Sequence, residues 1–191
     1  MAVDVRLFFN FRSPYCYLLS KTMFDAFAPL NVNLLWRPVG GWDGRSPPER
    51  AKVKVPITRQ DIARWTKRMQ IPYTPPPITT DPTPAGCGSL AAEKAGLLQA
   101  YIEQVMHAEW GNGLDIGQRE VLHNIADTIG LAKSDLDQAI DDDASAAQLA
   151  ANWEEAQSLG VIGVPTFVID DQIFWGNDRL DFVVEHLHEL G

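Results

Sequence analysis

Val3, Val5, Leu7 and Phe9 alternate with Asp4, Arg6 and Phe8, the period of a strand with one fully apolar face. Ser13-Pro14 then opens a helix, because serine caps helix N-termini well and proline is tolerated at the first helical position. Tyr15, Leu18 and Leu19, then Met23, Phe24 and Phe27, form its buried stripe, and Pro29 ends it. Val32 to Arg37 reads as a second strand, closed by Pro38. The chain opens as β-α-β.

The pattern changes at Gly40. Gly40-Gly41 and Ser46-Pro47-Pro48 signal loops, and Ile62, Trp65 and Met69 mark one helix. Pro75-Pro76-Pro77, Pro82 and Pro84 predict a stiff extended segment up to about Ala85. Ser89 to Gly160 reads as helical throughout, with apolar stripes at Leu97–Met106, Val121–Ile129 and Leu149–Leu159. Gly130 stops the second of these, and Ser134 is an expected N-cap. β-pattern returns in Thr166–Ile169 and Gln172–Trp175, joined by an Asp170-Asp171 turn. Asp178 is the expected N-cap of a last helix, whose core face carries Leu180, Val183, Val184, Leu187 and Leu190. A sheet split in sequence by helices predicts one α/β domain with a large helical insertion. The boundaries are 1–40 plus 161–191 for the sheet domain and 41–160 for the insertion.

Composition narrows the class. The 191 residues are 46% hydrophobic and 21% charged, enough for an ordinary core. A net charge of −9 argues against nucleic acid or an anionic membrane as partner. The two cysteines, Cys16 and Cys87, form neither a disulfide framework nor a zinc cluster. Asp4, Arg6 and Asn10 interrupt the early apolar residues, so no secretory signal is expected. No apolar run approaches the roughly 20 residues that span a bilayer. A cytoplasmic protein with reduced thiols is the expectation.

Three pieces carry candidate chemistry. In Phe11-Arg12-Ser13-Pro14-Tyr15-Cys16 a strand runs into a helix N-terminus, where an anion is stabilised. Thiol-disulfide enzymes place Cys-x-x-Cys at such a point. Here the first position is Ser13, and a hydroxyl forms no disulfide. Ser13 is either a cap or a hydrogen-bond donor to another molecule's thiolate, and the two roles are compatible. Gly163-Val164-Pro165-Thr166 leads a proline into a core strand. The trans form is the commoner one, and a cis bond would leave the Val164 N–H and C=O able to pair with an extended peptide. Trp175-Gly176-Asn177-Asp178-Arg179 is either a capped turn or a loop that holds an amino or carboxylate group.

Taken together, these pieces resemble the 2-hydroxychromene-2-carboxylate isomerases. Phe9 to Leu18 is similar to that family's amino-terminal motif. Gly163 to Phe167 and Phe174 to Leu180 are similar to its carboxy-terminal motif. Asp61-Ile62-Ala63-Arg64-Trp65 and Glu109-Trp110-Gly111 have weaker counterparts, so the resemblance spans nearly the whole chain. It implies a thioredoxin-like (DsbA-like) fold related to kappa-class glutathione transferases, glutathione as cofactor and a homodimer. It further implies that Ser13 is the catalytic serine that hydrogen-bonds the glutathione sulfur. Pro165 would be the cis-proline, with Val164 pairing through its backbone with the cysteinyl part. Trp175, Gly176, Asn177 and Asp178 would grip the γ-glutamyl end.

The substrate of that family is a small aromatic carboxylate, which calls for cations near the sulfur. Lys52, Lys54 and Arg64 are the candidates, with Trp110, Trp36 and Tyr73 as candidate aromatic walls. Each is more often a solvated charge or a core ring than a ligand. The stretch from Ile78 to Gly86 lacks the basic pattern associated with this substrate loop. Cys16 reads as a small buried helix residue, with glutathionylation the sharper alternative, and Cys87 between two glycines reads as exposed. The expected activity is a glutathione-dependent cis-trans isomerisation through reversible thiolate addition. A kappa-like glutathione transferase and a non-catalytic or redox thioredoxin-fold module are the alternatives.

Overall fold

A computed structural model describes residues 2–44, 46 and 48–191. Its sheet has four strands in the order β2-β1-β3-β4: β1 (Val3–Phe9), β2 (Val32–Pro38), β3 (Thr166–Ile169) and β4 (Gln172–Trp175). β1 runs parallel to β2, with Leu7 opposite Trp36, and antiparallel to β3, with Leu7 opposite Phe167. β3 and β4 form a hairpin.

The alternation of side chains fixes which helices cover which face. Leu7, Phe167 and Phe174 are paired across the sheet and share one face. Phe27 meets Phe167 edge-on at 5.8 Å, and Phe174 lies 5.7 Å from His186. Helices α2 (Met23–Phe27) and α9 (Leu180–Leu190) therefore lie on that side, and α1 (Pro14–Ser20) packs against α2. Arg6 and Arg37 point to the other face, where both hold Glu155 of α8 (Asp143–Ser158) at 3.0 and 2.7 Å. One helix of the sheet layer thus comes from within the expected insertion.

The remaining elements are α3 (Pro48–Met69), α4 (Thr83–Lys94), α5 (Leu98–Met106), a π-helical turn His107–Gly111, α6 (Arg119–Ile129) and α7 (Lys133–Asp141). Two interior glycines let α4 approach its neighbours closely. A Cβ on Gly86 would stand 2.7 Å from Leu149 Cδ2, and one on Gly88 2.5 Å from Leu136 Cδ1. The Tyr101 hydroxyl donates to Ala85 O at 3.0 Å and its ring meets Phe11 edge-on at 6.0 Å, so α5 supports the end of β1.

Several expectations are corrected. The first helix is two, because it breaks at Lys21-Thr22. α3 begins at Pro48, much earlier than its apolar residues suggest, and Pro56 lies within it. α4 begins at Thr83, with Pro84 in its first turn, where the missing N–H costs nothing. Ala132, not Ser134, precedes the first turn of α7, and the Ser134 hydroxyl turns to Asp135. Asp178 does not cap α9; it sits inside a 3₁₀ turn, Asn177–Arg179, that runs into it. Cys87 is buried, not exposed, because its flanking glycines serve helix packing. No helix among the described residues is long and apolar enough to cross a membrane.

Candidate functional site around Ser13

Ser13 is the N-cap of α1. Its backbone is extended and its Oγ accepts weakly from Cys16 N at 3.4 Å. The same hydroxyl donates to Val164 O at 3.4 Å. Both bonds are long, so the hydroxyl is held in place yet is weakly committed to either partner. The Val164–Pro165 peptide is cis, as the resemblance implied and against the commoner form. Gly176 N donates to Pro165 O at 2.9 Å, which ties the Trp175–Asp178 segment to the same point. Two hydrogen bonds thus link Ser13 to Val164 and Pro165 to Gly176, and Trp175, Asn177 and Asp178 adjoin Gly176 along the chain.

Glycines make this convergence possible. A Cβ on Gly44 would reach within 3.0 Å of Val164 Cγ1, one on Gly163 within 3.0 Å of Trp175 Nε1, and one on Gly176 within 2.6 Å of Asp178 Oδ1. Gly176 also has φ +114°, a region that side chains rarely enter. The surface is open: Trp175 is 49% exposed and Trp42, in the loop before Gly44, is 73% exposed. A cavity of about 530 Å³ lined by Trp36, Lys94 and Glu155 lies elsewhere, between α4, α8 and β2, and none of the Ser13 surface lines it.

The two thiols are poor nucleophiles. Burial raises Cys16 to about 12; hydrogen bonds involving Asn10 and Ser13 act the other way, and the charge of Glu109 adds the smallest contribution, upward. Burial likewise raises Cys87 to about 11. A redox dithiol needs the opposite, an accessible thiol of depressed pKa. Cys16 is therefore the buried helix residue that its position suggested, with a thiol that burial keeps protonated at neutral pH.

The basic candidates lie apart from Ser13's immediate contacts. Lys52, Lys54 and Arg64 are all exposed on α3 and bond Glu49, Ser46 and Gln60 respectively. Lys54 is spaced four and seven residues from Thr58 and Asp61, so it shares their helix face, while Lys52 lies roughly opposite. Trp110 is 7% exposed: its indole N–H donates to Phe11 O at 3.2 Å and its ring stacks on Tyr73 at 6.3 Å. It packs behind the Ser13 loop. Among the described residues no three His, Cys, Asp or Glu side chains form a metal cluster.

Several neighbours went unassigned in the sequence. The Tyr15 hydroxyl donates to Asp61 Oδ2 at 3.0 Å, joining α1 to α3 beside the site. Tyr15 is raised to about 12, first by burial and then by Asp61, with Asp178 adding a smaller push. Asn10 accepts from Arg12 N at 2.8 Å through Oδ1 and donates to Asp43 O at 3.1 Å through Nδ2. Arg12 is buried and donates to Glu109 Oε1 at 3.2 Å and Pro77 O at 2.8 Å. The one available signal was an isolated Arg, and an isolated Glu, each set in an apolar stretch.

A profile of the DSBA-like thioredoxin domain matches residues 4–188. A 2-hydroxychromene-2-carboxylate isomerase of Sphingobium xenophagum is 28% identical, the match covering 98% of this chain and 99% of that protein. Among solved structures, a 2-hydroxychromene-2-carboxylate isomerase superposes with a TM-score of 0.83 at 22% identity, over 98% of this chain and 95% of its own. The cytosolic disulfide reductase DsbM of Pseudomonas aeruginosa, solved with GSH, gives a TM-score of 0.73 at 18% identity, over 97% and 100% of the two chains. A four-stranded sheet with a cis-proline facing the first helix, matched from end to end by one domain profile, makes this chain a member of the DSBA-like thioredoxin family.

Proposed function

We propose that this protein is a glutathione-dependent isomerase that converts 2-hydroxychromene-2-carboxylate, or a related aromatic acid, to its trans-benzylidenepyruvate form. The observation that carries the reading is the placement of Ser13 Oγ against the Val164 carbonyl, at the position where redox relatives of the fold use a thiol. The full-length similarity to proteins named as that isomerase supports it. The reading includes a homodimer and a cytoplasmic setting, of which the first is checked by sedimentation velocity.

The residues present suit the tripeptide. Val164 offers its backbone, the Gly44, Gly163 and Gly176 cradle leaves room that side chains would fill, and Trp175 to Asp178 present an indole, an amide and a carboxylate. Bound there, glutathione would supply a thiolate nucleophile, the chemistry that a reversible addition to the conjugated acid requires. The chain's own part is to bind and orient. The Ser13 hydroxyl leaves its long bond to Val164 O and donates to the sulfur, holding it charged. Lys54, on the α3 face that meets Tyr15, supplies a cation for the substrate carboxylate, with Arg64, three residues from Asp61, and Lys52 as the other candidates. No redox change occurs, and neither Cys16 nor Cys87 takes part.

The test is ultraviolet kinetics with 2-hydroxychromene-2-carboxylate, with and without glutathione, on wild type and Ser13→Ala. The expected result is turnover that requires glutathione and falls about 100-fold or more in Ser13→Ala, the scale of losing one preorganised donor. Glutathione binding by calorimetry is expected to persist in the variant. Full activity in Ser13→Ala removes its assigned role, and glutathione binding without isomerisation transfers the reading to a glutathione transferase.

A further inference from the structure

The loop that carries Ser13 is fastened from behind by a buried charge pair. Arg12 and Glu109 are 8% and 0% exposed at the side chain and 3.2 Å apart. The guanidinium also donates to Pro77 O and lies 5.3 Å from the centre of the Trp110 ring. Trp110 in turn holds Phe11 O, and its carbonyl accepts from Thr74 N at 2.8 Å. Arg12 is thus the point at which the Phe11–Ser13 loop, the 72–77 segment and the π-helical turn meet.

Two further observations make the pair more than a brace. A buried ion pair contributes little net stability compared with apolar residues of the same volume, so its presence calls for another explanation. The surroundings are also acidic. Asp61 of α3 and Asp178 of the 3₁₀ turn both act on Tyr15, Glu109 acts on Cys16 beneath Ser13, and Asp115 lies close enough to feel Arg12. An anionic sulfur placed at Ser13 adds to this negative charge, and Arg12, the neighbouring residue in the loop, carries a buried positive charge.

We propose that Arg12 and Glu109 form a charge-balanced positioning pair that holds the Ser13 loop and sets the electrostatic potential where the thiol of the bound cofactor sits. The proposal rests on the glutathione reading above and extends it to residues that touch neither substrate nor cofactor. Arg12 offsets the carboxylates around the loop, and Glu109 keeps the guanidinium from moving outward toward solvent.

The two halves of the pair have opposite signs, and the test uses that. The pKa of bound glutathione is read from thiolate absorbance during a pH titration of the protein–glutathione complex. Arg12→Met removes the positive charge of the pair and raises this pKa by about one unit; Glu109→Gln removes the negative charge and lowers it by a similar amount. The double variant Arg12→Met/Glu109→Gln returns close to the wild-type value and keeps the fold, because no lone charge is buried. Arg12→Lys keeps the charge but loses the forked donors and ring contact, so the pKa stays and kcat/KM falls. A merely structural role would lower binding in both single variants without moving the pKa in opposite senses. Shifts in the same direction, or none, overturn the proposal. If the single variants fail to fold, the remaining two decide: a double variant with wild-type kcat/KM, or an Arg12→Lys protein with a displaced pKa, overturns it. Wild-type protein that binds no glutathione defeats the functional reading and this inference together, whereas binding with an unmoved pKa defeats the inference alone.

Discussion

Gly88→Ala sets two opposing effects against each other in the helix that supports the site. Alanine favours the middle of a helix over glycine by about 1 kcal/mol. The added methyl, however, enters a space already filled. It would stand 2.5 Å from Leu136 Cδ1 and closer still to the Tyr101 hydroxyl, both nearer than real Cβ contacts come. Overpacking of this kind costs about 1–3 kcal/mol. Displacing Tyr101 also threatens its buried bond to Ala85 O, and an orphaned buried hydroxyl costs about 1–3 kcal/mol. The expected net loss is about 2–4 kcal/mol, or a fall in Tm of roughly 5–15 °C for a chain of this size. Urea unfolding followed by circular dichroism reads the change, with Gly96→Ala as control. Gly96 has φ +70°, and a Cβ there would meet nothing within 4 Å, so that variant loses only about 1 kcal/mol through backbone strain. Combining Gly88→Ala with Tyr101→Phe relieves the worse of the two clashes and should recover part of the loss. A Gly88→Ala protein as stable as wild type, or less damaged than Gly96→Ala, would refute the steric reasoning.

Two other expectations concern titrating groups. Neither Cys16 nor Cys87 should react with a thiol reagent at neutral pH in the native state, and both should react after denaturation; a fast native thiol contradicts their burial. Burial holds Tyr15 and Tyr17 neutral up to about 12 against an ordinary 10.0, so the native state keeps their protons more tightly than the unfolded chain. Their contribution is intact below pH 10 and is lost as pH rises toward 12, with Lys21, lowered by burial, acting in the opposite sense. Urea midpoints measured across that range should fall, and fall less in Tyr15→Phe/Tyr17→Phe; a rising midpoint would count against the assignment.

How much of this was legible in the sequence depended on whether the signal was local. β1, α1 and the C-terminal hairpin carry their period in adjacent residues, and they lie where that period puts them. Helix α3 does not announce itself: residues 49–60 bury no side chain, so no apolar stripe marks them, and Pro56 reads as a breaker. Helix α4 buries small residues, and glycine at 86 and 88 looks like a turn until Leu149, Leu136 and Tyr101 are seen against it. The Ser13 surface was readable from motifs at the two ends of the chain. The Arg12–Glu109 pair was not, because its members are separated by 97 positions and only the packed structure makes them partners.

The sheet order has a consequence for how the chain is made. Leu7 of β1 pairs with Phe167, about 160 positions further along the chain. During synthesis β1 and β2 can pair early, but the other edge of β1, rich in Leu7, Phe8 and Phe9, has no strand to meet until almost the whole polypeptide has left the ribosome. Closure of the sheet is a contact of very high sequence separation, and such contacts form slowly. For much of its biogenesis the nascent chain therefore carries an open apolar strand edge, the feature that molecular chaperones recognise and that seeds aggregation when they are absent.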